Sequence, residues 1–447
     1  MVGVGAAWRF AHRGPGAIAG FHEQWEAVAS GPPAPGPQPV AFASFAFSSG
    51  VSVALVPAGA VIDCERGRFV VRASASGAGA EDAAGTAPAP GADALPAPSA
   101  ADPADLPADP LEAAAALLER RSPVAVARLV GSEQGSMTRG QWRGQVTRMA
   151  ALLRGGRAQK AVLARDMIAR VRGFDERRLL ERLSALYPST WIFGVDGLIG
   201  ATPEMLASAR SGRVFSRVLA GTCAPGGGPA LLESDKDLRE HALAVESVAS
   251  ALHPLCSDLR VPQEPFLLEL PNVTHLATDV SGVLDASLLD AVAALHPTAA
   301  VCGTPRHESM GLIERYEDTD RGRYAGPVGW IDTSGEGEFA LALRCGQVEG
   351  AGAGAEDGSR IRLFAGAGIM PDSDPGAELA ETEAKMRPLL DALGARCGDA
   401  RARRRRAPPR RRRGVVGAEP LAGTASRGCP HLAWSATWTS CEAPSLT

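Results

Sequence analysis

The stretch SDPGAELAETEAKM, Ser373 to Met386, holds carboxylates and an amine at helical spacing. Pro375 suits the first helical position after an Asp or Ser cap. On that helix Glu378, Glu381 and Lys385 fall at i, i+3 and i+7 and share one face. Taken alone, such a face is an exposed, salt-bridged surface helix. The preceding FAGAGIM changes the reading. Gly366, Ala367 and Gly368 form a small-residue loop whose amides can approach a ligand just before a helix N-terminus. An anion held there beside carboxylates needs a cation between them.

A second carboxylate sits in LREHAL, where Glu240 and His241 lie one turn into another helix. A lone helical Glu is usually solvent-facing. Two helical glutamates with an anionic substrate nevertheless suit Mg²⁺, which takes few protein carboxylates and fills its octahedron with substrate oxygens and water.

The elements that must position these groups follow from periodicity. Residues 1–72 are strand-rich, with a helix from Ile18 to Ser30 and strands in PVAFASFAF and VSVALVP. LEAAAALLERR and QWRGQVTRMAALLRGG are helices, and KAVLAR (Lys160–Arg165) is a strand. In DERRLLERLSALYP, Leu179, Leu183 and Leu186 share one helical face that Pro188 ends. WIFGV and GLIGAT make a hairpin. Ser234 answered by Asp237 approximates a capping box ahead of SDKDLREHALAV. PVGWID, FALALRC and RIRLFAGAGIM are further strands. Strands mixed with helices in this way give an α/β (α+β) fold, one large domain of layered sheets flanked by helices.

That domain is expected over residues 1–398, with a low-complexity Ala/Gly/Pro insertion at 73–110. Residues 399–447 are read as a basic tail outside the fold. Arg401 to Arg413 carries nine arginines; without them the formal net charge of −4 becomes −13. So acidic a body argues against nucleic acid as a partner, and positive charge must be concentrated in any site for an anion. The eight cysteines show no CxxC or zinc spacing, and no apolar run is long enough to span a membrane. The opening MVGVGAAWRFAHRGPGAIAGF lacks the apolar centre of a signal peptide. A reduced, cytoplasmic protein is expected.

Several segments, in order, resemble the chorismate-utilising enzyme family: GATPEML, LAGT, SDKDLREHALAV, THLATDVSGVL, the long ALHPTAAVCGTPRHESMGLIERYEDTDRGRYAGPVGWID, ALRCGQV and LFAGAGIMPDSDPGAELAETEAKM. The resemblance runs from about Lys160 to Leu393, and more weakly from Ala7 to Val56. Within the family, the LHPT…GTP…RYAGPVGW block looks most like isochorismate synthases. Members serve menaquinone, siderophore, salicylate and tryptophan biosynthesis.

The resemblance implies a reaction in which water adds at C2 of chorismate while the C4 hydroxyl leaves. Such a reaction needs a base on one side of the ring and an acid on the other. Lys160 matches the water-activating base, a role that requires desolvation or nearby positive charge. Glu204 matches the general acid, which burial must keep protonated near neutrality. Glu240 and Glu381 match the Mg²⁺ ligands. Arg344 and Tyr324 match the groups that bind the enolpyruvyl carboxylate, a task suited to a guanidinium fork. Thr222, His275, Lys385 and the amides around Gly366 and Gly368 complete the pocket, although His275 equally fits a satisfied core histidine.

Relatives that use ammonia carry a Gln-type residue where this chain has Lys160. Those forming a covalent amine intermediate place a lysine where it has Ala220. The resemblance therefore implies water as nucleophile, a monomer, and no glutaminase subunit. A salicylate synthase, which would share Lys160 and Glu204 and then eliminate pyruvate, is one alternative, with Val301 and its neighbours near Cys302 shaping the ring pocket. A non-catalytic member is the other.

Overall fold

The structure, a computed structural model, describes residues 1–4, 6–29, 38–57, 59–64, 67–72, 127–223, 226–269, 274–349, 358–394 and 433–435. The expected insertion at 73–110 and the helix at LEAAAALLERR lie outside the described residues. So does the tail beyond 398, except Ala433–Ser435. That short strand pairs in parallel with Val2–Val4 on one side and Trp191–Val195 on the other.

Alternation along the strands builds the layers. In Trp191–Val195 and Leu198–Thr202, Phe193, Val195 and Leu198 enter one core, while Ile192, Ile199 and Ala201 enter another. The first core also takes Phe42, Leu206 and Phe339 from a second sheet. The other core is closed by Leu179, Leu180 and Leu183 of helix Glu176–Leu186 and by Met386 and Leu389 of helix Pro375–Ala392. The layered, helix-flanked α/β arrangement expected from periodicity is therefore present. Among the described residues the sheets have eleven and ten strands. No helix among them is long and apolar enough to cross a membrane.

Two strands of the eleven-stranded sheet matter most. Lys160–Arg172 pairs antiparallel with Ser359–Ile369 from Ala161↔Ile369 to Val171↔Ser359. Two helices flank the same end. Asp235–Leu252 starts where the Ser234 hydroxyl accepts the Asp237 amide, and it packs on strands Arg213–Cys223 and Thr274–Leu284. Pro375–Ala392 starts at Asp374, whose carboxylate accepts the Ala377 amide at 2.8 Å, and it packs on Ser359–Ile369.

The expected strand FALALRC is two strands in different sheets. Gly337–Leu341 belongs to the ten-stranded sheet and Cys345–Glu349 to the eleven-stranded one. Between them the chain crosses at Ala342–Arg344, with Arg344 at φ 49°, a left-handed turn that a continuous strand cannot contain. A second crossing, at Pro203–Glu204, joins Leu198–Thr202 to Met205–Arg210. The crossings are bonded together: Leu341 N–H donates to the Glu204 carbonyl at 3.0 Å and Ala201 N–H to the Arg344 carbonyl at 3.3 Å. Glu204 and Arg344 thus sit at opposite ends of one paired crossing, facing Leu341 and Ala201 respectively.

Candidate active site

Lys160 opens its strand and reaches over Gly368. A Cβ at position 368 would lie 2.7 Å from Lys160 Cε, so only glycine leaves that path clear. The amine then stands 3.5 Å from Glu240 Oε1. Two residues earlier, on the same face, Gly366 leaves room for the Tyr324 hydroxyl, which a Cβ would approach to 3.0 Å. The Gly366 carbonyl accepts Lys385 Nζ at 2.9 Å, and that amine also touches Glu381 Oε1 at 2.5 Å. One strand therefore links Lys160 with Glu240 to Lys385 with Glu381.

The reading of Gly366 to Gly368 as a loop before a helix N-terminus is corrected. These residues are in-line strand, paired with Ala164 and Val162. The amides of Ala164 and Val162 turn away from this partner, to Glu317 Oε2 and the Cys302 carbonyl. By the alternation of antiparallel ladders, the N–H and C=O groups of Gly366 and Gly368 also turn away, toward the opposite edge. Strand Cys345–Glu349 covers that edge only as far as Leu363. The amides read as an anion site belong to a strand edge beyond the reach of Cys345–Glu349, not to a helix end.

Glu204 retains some accessible surface, yet protein crowds its carboxyl. Burial pushes it up to about 7, and the nearby Lys160 charge opposes that rise. The two groups thus share one electrostatic environment. Behind Glu204 a cavity runs between strand Arg213–Cys223 and helix Asp235–Leu252, past Ala244, Val248 and Ala251; Lys160 is not on its wall. Tyr324 is buried and stacks on Phe364 with centroids 5.3 Å apart. Burial raises its pKa. Arg344 has its pKa lowered by burial, against the attraction of Tyr324 and Glu381. A guanidinium stays charged in proteins, so Arg344 places a partly buried positive charge near Tyr324 and Glu381.

Thr222 and His275 are ladder partners, with Thr222 Oγ1 2.8 Å from His275 Nδ1. Burial lowers the His275 pKa. The two strands that carry this pair are tied to the helix of Glu240 through the adjacent His241. His241 Nδ1 donates to the Ala220 carbonyl at 3.0 Å, which leaves Nε2 to accept from the Thr278 hydroxyl at 2.7 Å. Buried, with its pKa lowered, His241 is a neutral brace for the helix carrying Glu240. Sequence reasoning also missed Glu317 and Arg321, a buried ion pair against the strand of Lys160. Their i, i+4 spacing looks like any surface helical pair.

Among the described residues, no group of three or more His, Cys, Asp or Glu side chains converges as a metal site. Glu240 and Glu381 still fit Mg²⁺ in donor chemistry. Each is a hard-oxygen carboxylate about half exposed, contacted by a lysine through one oxygen. Such an ion completes its shell with water and substrate oxygens.

Gly368→Ala tests the packing of Lys160. The added methyl meets a flexible side chain rather than backbone, so the fold should persist with little change in Tm. The displaced amine should lower turnover at least about tenfold, since misplacement by about 1 Å costs up to 10²-fold. Thermal melts and steady-state rates on one preparation check both halves.

A family model for "Chorismate binding enzyme" matches residues 99–394. The chain belongs to the chorismate-binding enzyme family. A salicylate biosynthesis isochorismate synthase from Pseudomonas aeruginosa is 36% identical over 290 residues, 62% of this chain and 59% of that protein. This chorismate-binding enzyme spans 50% to 59% of the length of the first such relatives. Its fold matches the menaquinone-specific isochorismate synthase of Escherichia coli with a TM-score of 0.63 at 22% identity, covering 88% of this chain and 85% of that one. Anthranilate synthase component I from Streptococcus pneumoniae matches with a TM-score of 0.64 at 19% identity, over 82% and 84% of the two chains. Fold alone therefore does not separate relatives that bear different names.

Proposed function

We propose that this chorismate-binding enzyme is an isochorismate synthase, a Mg²⁺-dependent isomerase. The observation that carries the reading is the convergence of an amine, Lys160, with a carboxyl raised to about 7, Glu204, beside the glutamate-bearing helices. Lys160, as the neutral amine, takes a proton from water as that water's oxygen bonds to C2. The ring double bond shifts, the C4–O bond breaks, and Glu204 protonates the departing oxygen so that water leaves. One water enters and one leaves, the proton gained by Lys160 returns to Glu204 through solvent, and the product is an isomer. Arg344 and Tyr324 orient the enolpyruvyl carboxylate, while the edge amides of Gly366 and Gly368, with Lys385, Thr222 and His275, complete the pocket. Glu240 and Glu381 would hold Mg²⁺, which would supply neutralising charge at the ring carboxylate.

The reading takes the enzyme to be a cytoplasmic monomer that needs no glutaminase, feeding menaquinone or siderophore biosynthesis. Incubating it with chorismate and Mg²⁺, without ammonia, tests the reaction. Isochorismate supports the reading; salicylate with pyruvate makes the enzyme a salicylate synthase; unchanged chorismate makes it a non-catalytic member. Glu240→Gln and Glu381→Gln should each raise the Mg²⁺ concentration for half-maximal rate by about 10-fold or more, since a charged ligand is lost. An unchanged metal titration removes that residue from the ligand set.

A further inference from the structure

Strand Lys160–Arg172 has two edges, and one of them is incomplete. Its outer edge pairs with Gly303–Thr304 at Lys160 and Ala161, and with Arg128–Gln134 from Met167 onward. Between these partners two side chains and a loop carbonyl serve the strand. Glu317 Oε2 accepts the Ala164 amide at 2.7 Å, and Arg321 donates to the Val162 carbonyl at 2.7 Å. The two are locked by bonds of 2.6 and 2.7 Å, both only 3% exposed, with the guanidinium 4.1 Å from the Phe47 ring centroid. Arg321 also donates to the Val301 carbonyl at 2.9 Å, and its own carbonyl accepts the Tyr324 amide at 2.9 Å.

We propose that the Glu317–Arg321 ion pair is a positioning device that stands in for a missing stretch of strand and fixes Lys160, the Val301 loop and Tyr324 in one register. Resting on the isochorismate synthase reading, the pair acts through those residues and touches no reacting atom. A side-chain pair suits this gap better than backbone. A strand there would seal the edge along which Val301 approaches, whereas a fork holds two segments from a single point.

Two measurements test the proposal. Native-state hydrogen exchange on the wild-type protein should show the Ala164 amide as protected as its ladder-bonded neighbours; exchange at the rate of an open edge overturns it. Arg321→Lys keeps the charge beside Glu317 but loses the fork. Its folded fraction should show kcat lowered on the order of 10²-fold, KM little changed, and a displaced pH–kcat profile. A folded variant with wild-type kcat and pH profile, whatever its Tm, overturns the proposal by making the pair merely structural. Should wild-type protein leave chorismate unchanged, the reaction assignment fails, and the exchange measurement still decides the positioning claim.

Discussion

Lys160→Ala should lower kcat by about two to four orders of magnitude while chorismate still binds, because the change deletes acid–base assistance and leaves the anion-binding groups in place. The substitution removes an amine that contacts Glu240 from a partly exposed position. An exposed ion pair of this kind contributes about 0–1 kcal/mol, so the fold should survive. The side chain crosses Gly368 without taking part in the ladder between Lys160–Arg172 and Ser359–Ile369, so the strand keeps its register. Arg344, Tyr324 and Lys385 lie on other segments and are not displaced. Equilibrium binding of chorismate beside single-turnover rates separates the effects. Turnover near the wild-type value removes Lys160 from water activation and takes the proposed mechanism with it. Loss of binding together with rate would assign the amine to substrate affinity instead.

Local signals make much of the scaffold legible in the sequence. Asp374 before Pro375 and Ser234 before Asp237 mark helix starts that the structure contains, because capping chemistry depends on neighbours in sequence. The hairpin of WIFGV and GLIGAT is present for the same reason. Two misreadings share a cause, which is that burial erases local contrast. FALALRC is apolar throughout, so nothing in it marks the change of sheet at Ala342, and arginine is not a residue type that announces a left-handed turn. GAG suggests a loop, yet Gly366 and Gly368 are needed for what lies over them, the Tyr324 hydroxyl and the Lys160 chain. Convergence of the site was legible only through the family resemblance. No period relates Lys160 to Glu240, and what joins them is a side-chain contact between a strand of one sheet and a helix packed on the other. Glu317 and Arg321 left no signal, since their importance lies in backbone groups they serve far along the chain.

Glu204→Gln should abolish turnover at every pH, and comparison with wild type should reveal the cost of keeping that acid in place. Glutamine has nearly the same shape and can hydrogen-bond, but it delivers no proton to a leaving hydroxyl; a loss of about two to four orders of magnitude follows. For the wild type, a carboxyl raised to about 7 gives the pH dependence its direction. As the proton donor it must be protonated, so the fraction of enzyme holding the competent acid should fall as pH rises through about 7. Stability follows the same sign. The folded-state value lies above the ordinary 4.5, so the folded protein binds the extra proton and is favoured at low pH. That contribution is complete below about 4.5 and lost as pH rises through about 7. Integrated over the window, it amounts to about 3 kcal/mol. Glu204→Gln, which does not ionise, should therefore be close to wild type in stability at pH 4 and more stable at pH 9. Denaturant melts of both proteins across that range read the difference directly. A parallel pair of stability curves would mean that Glu204 titrates near its ordinary value, leaving too little protonated acid at neutral pH for the role assigned to it.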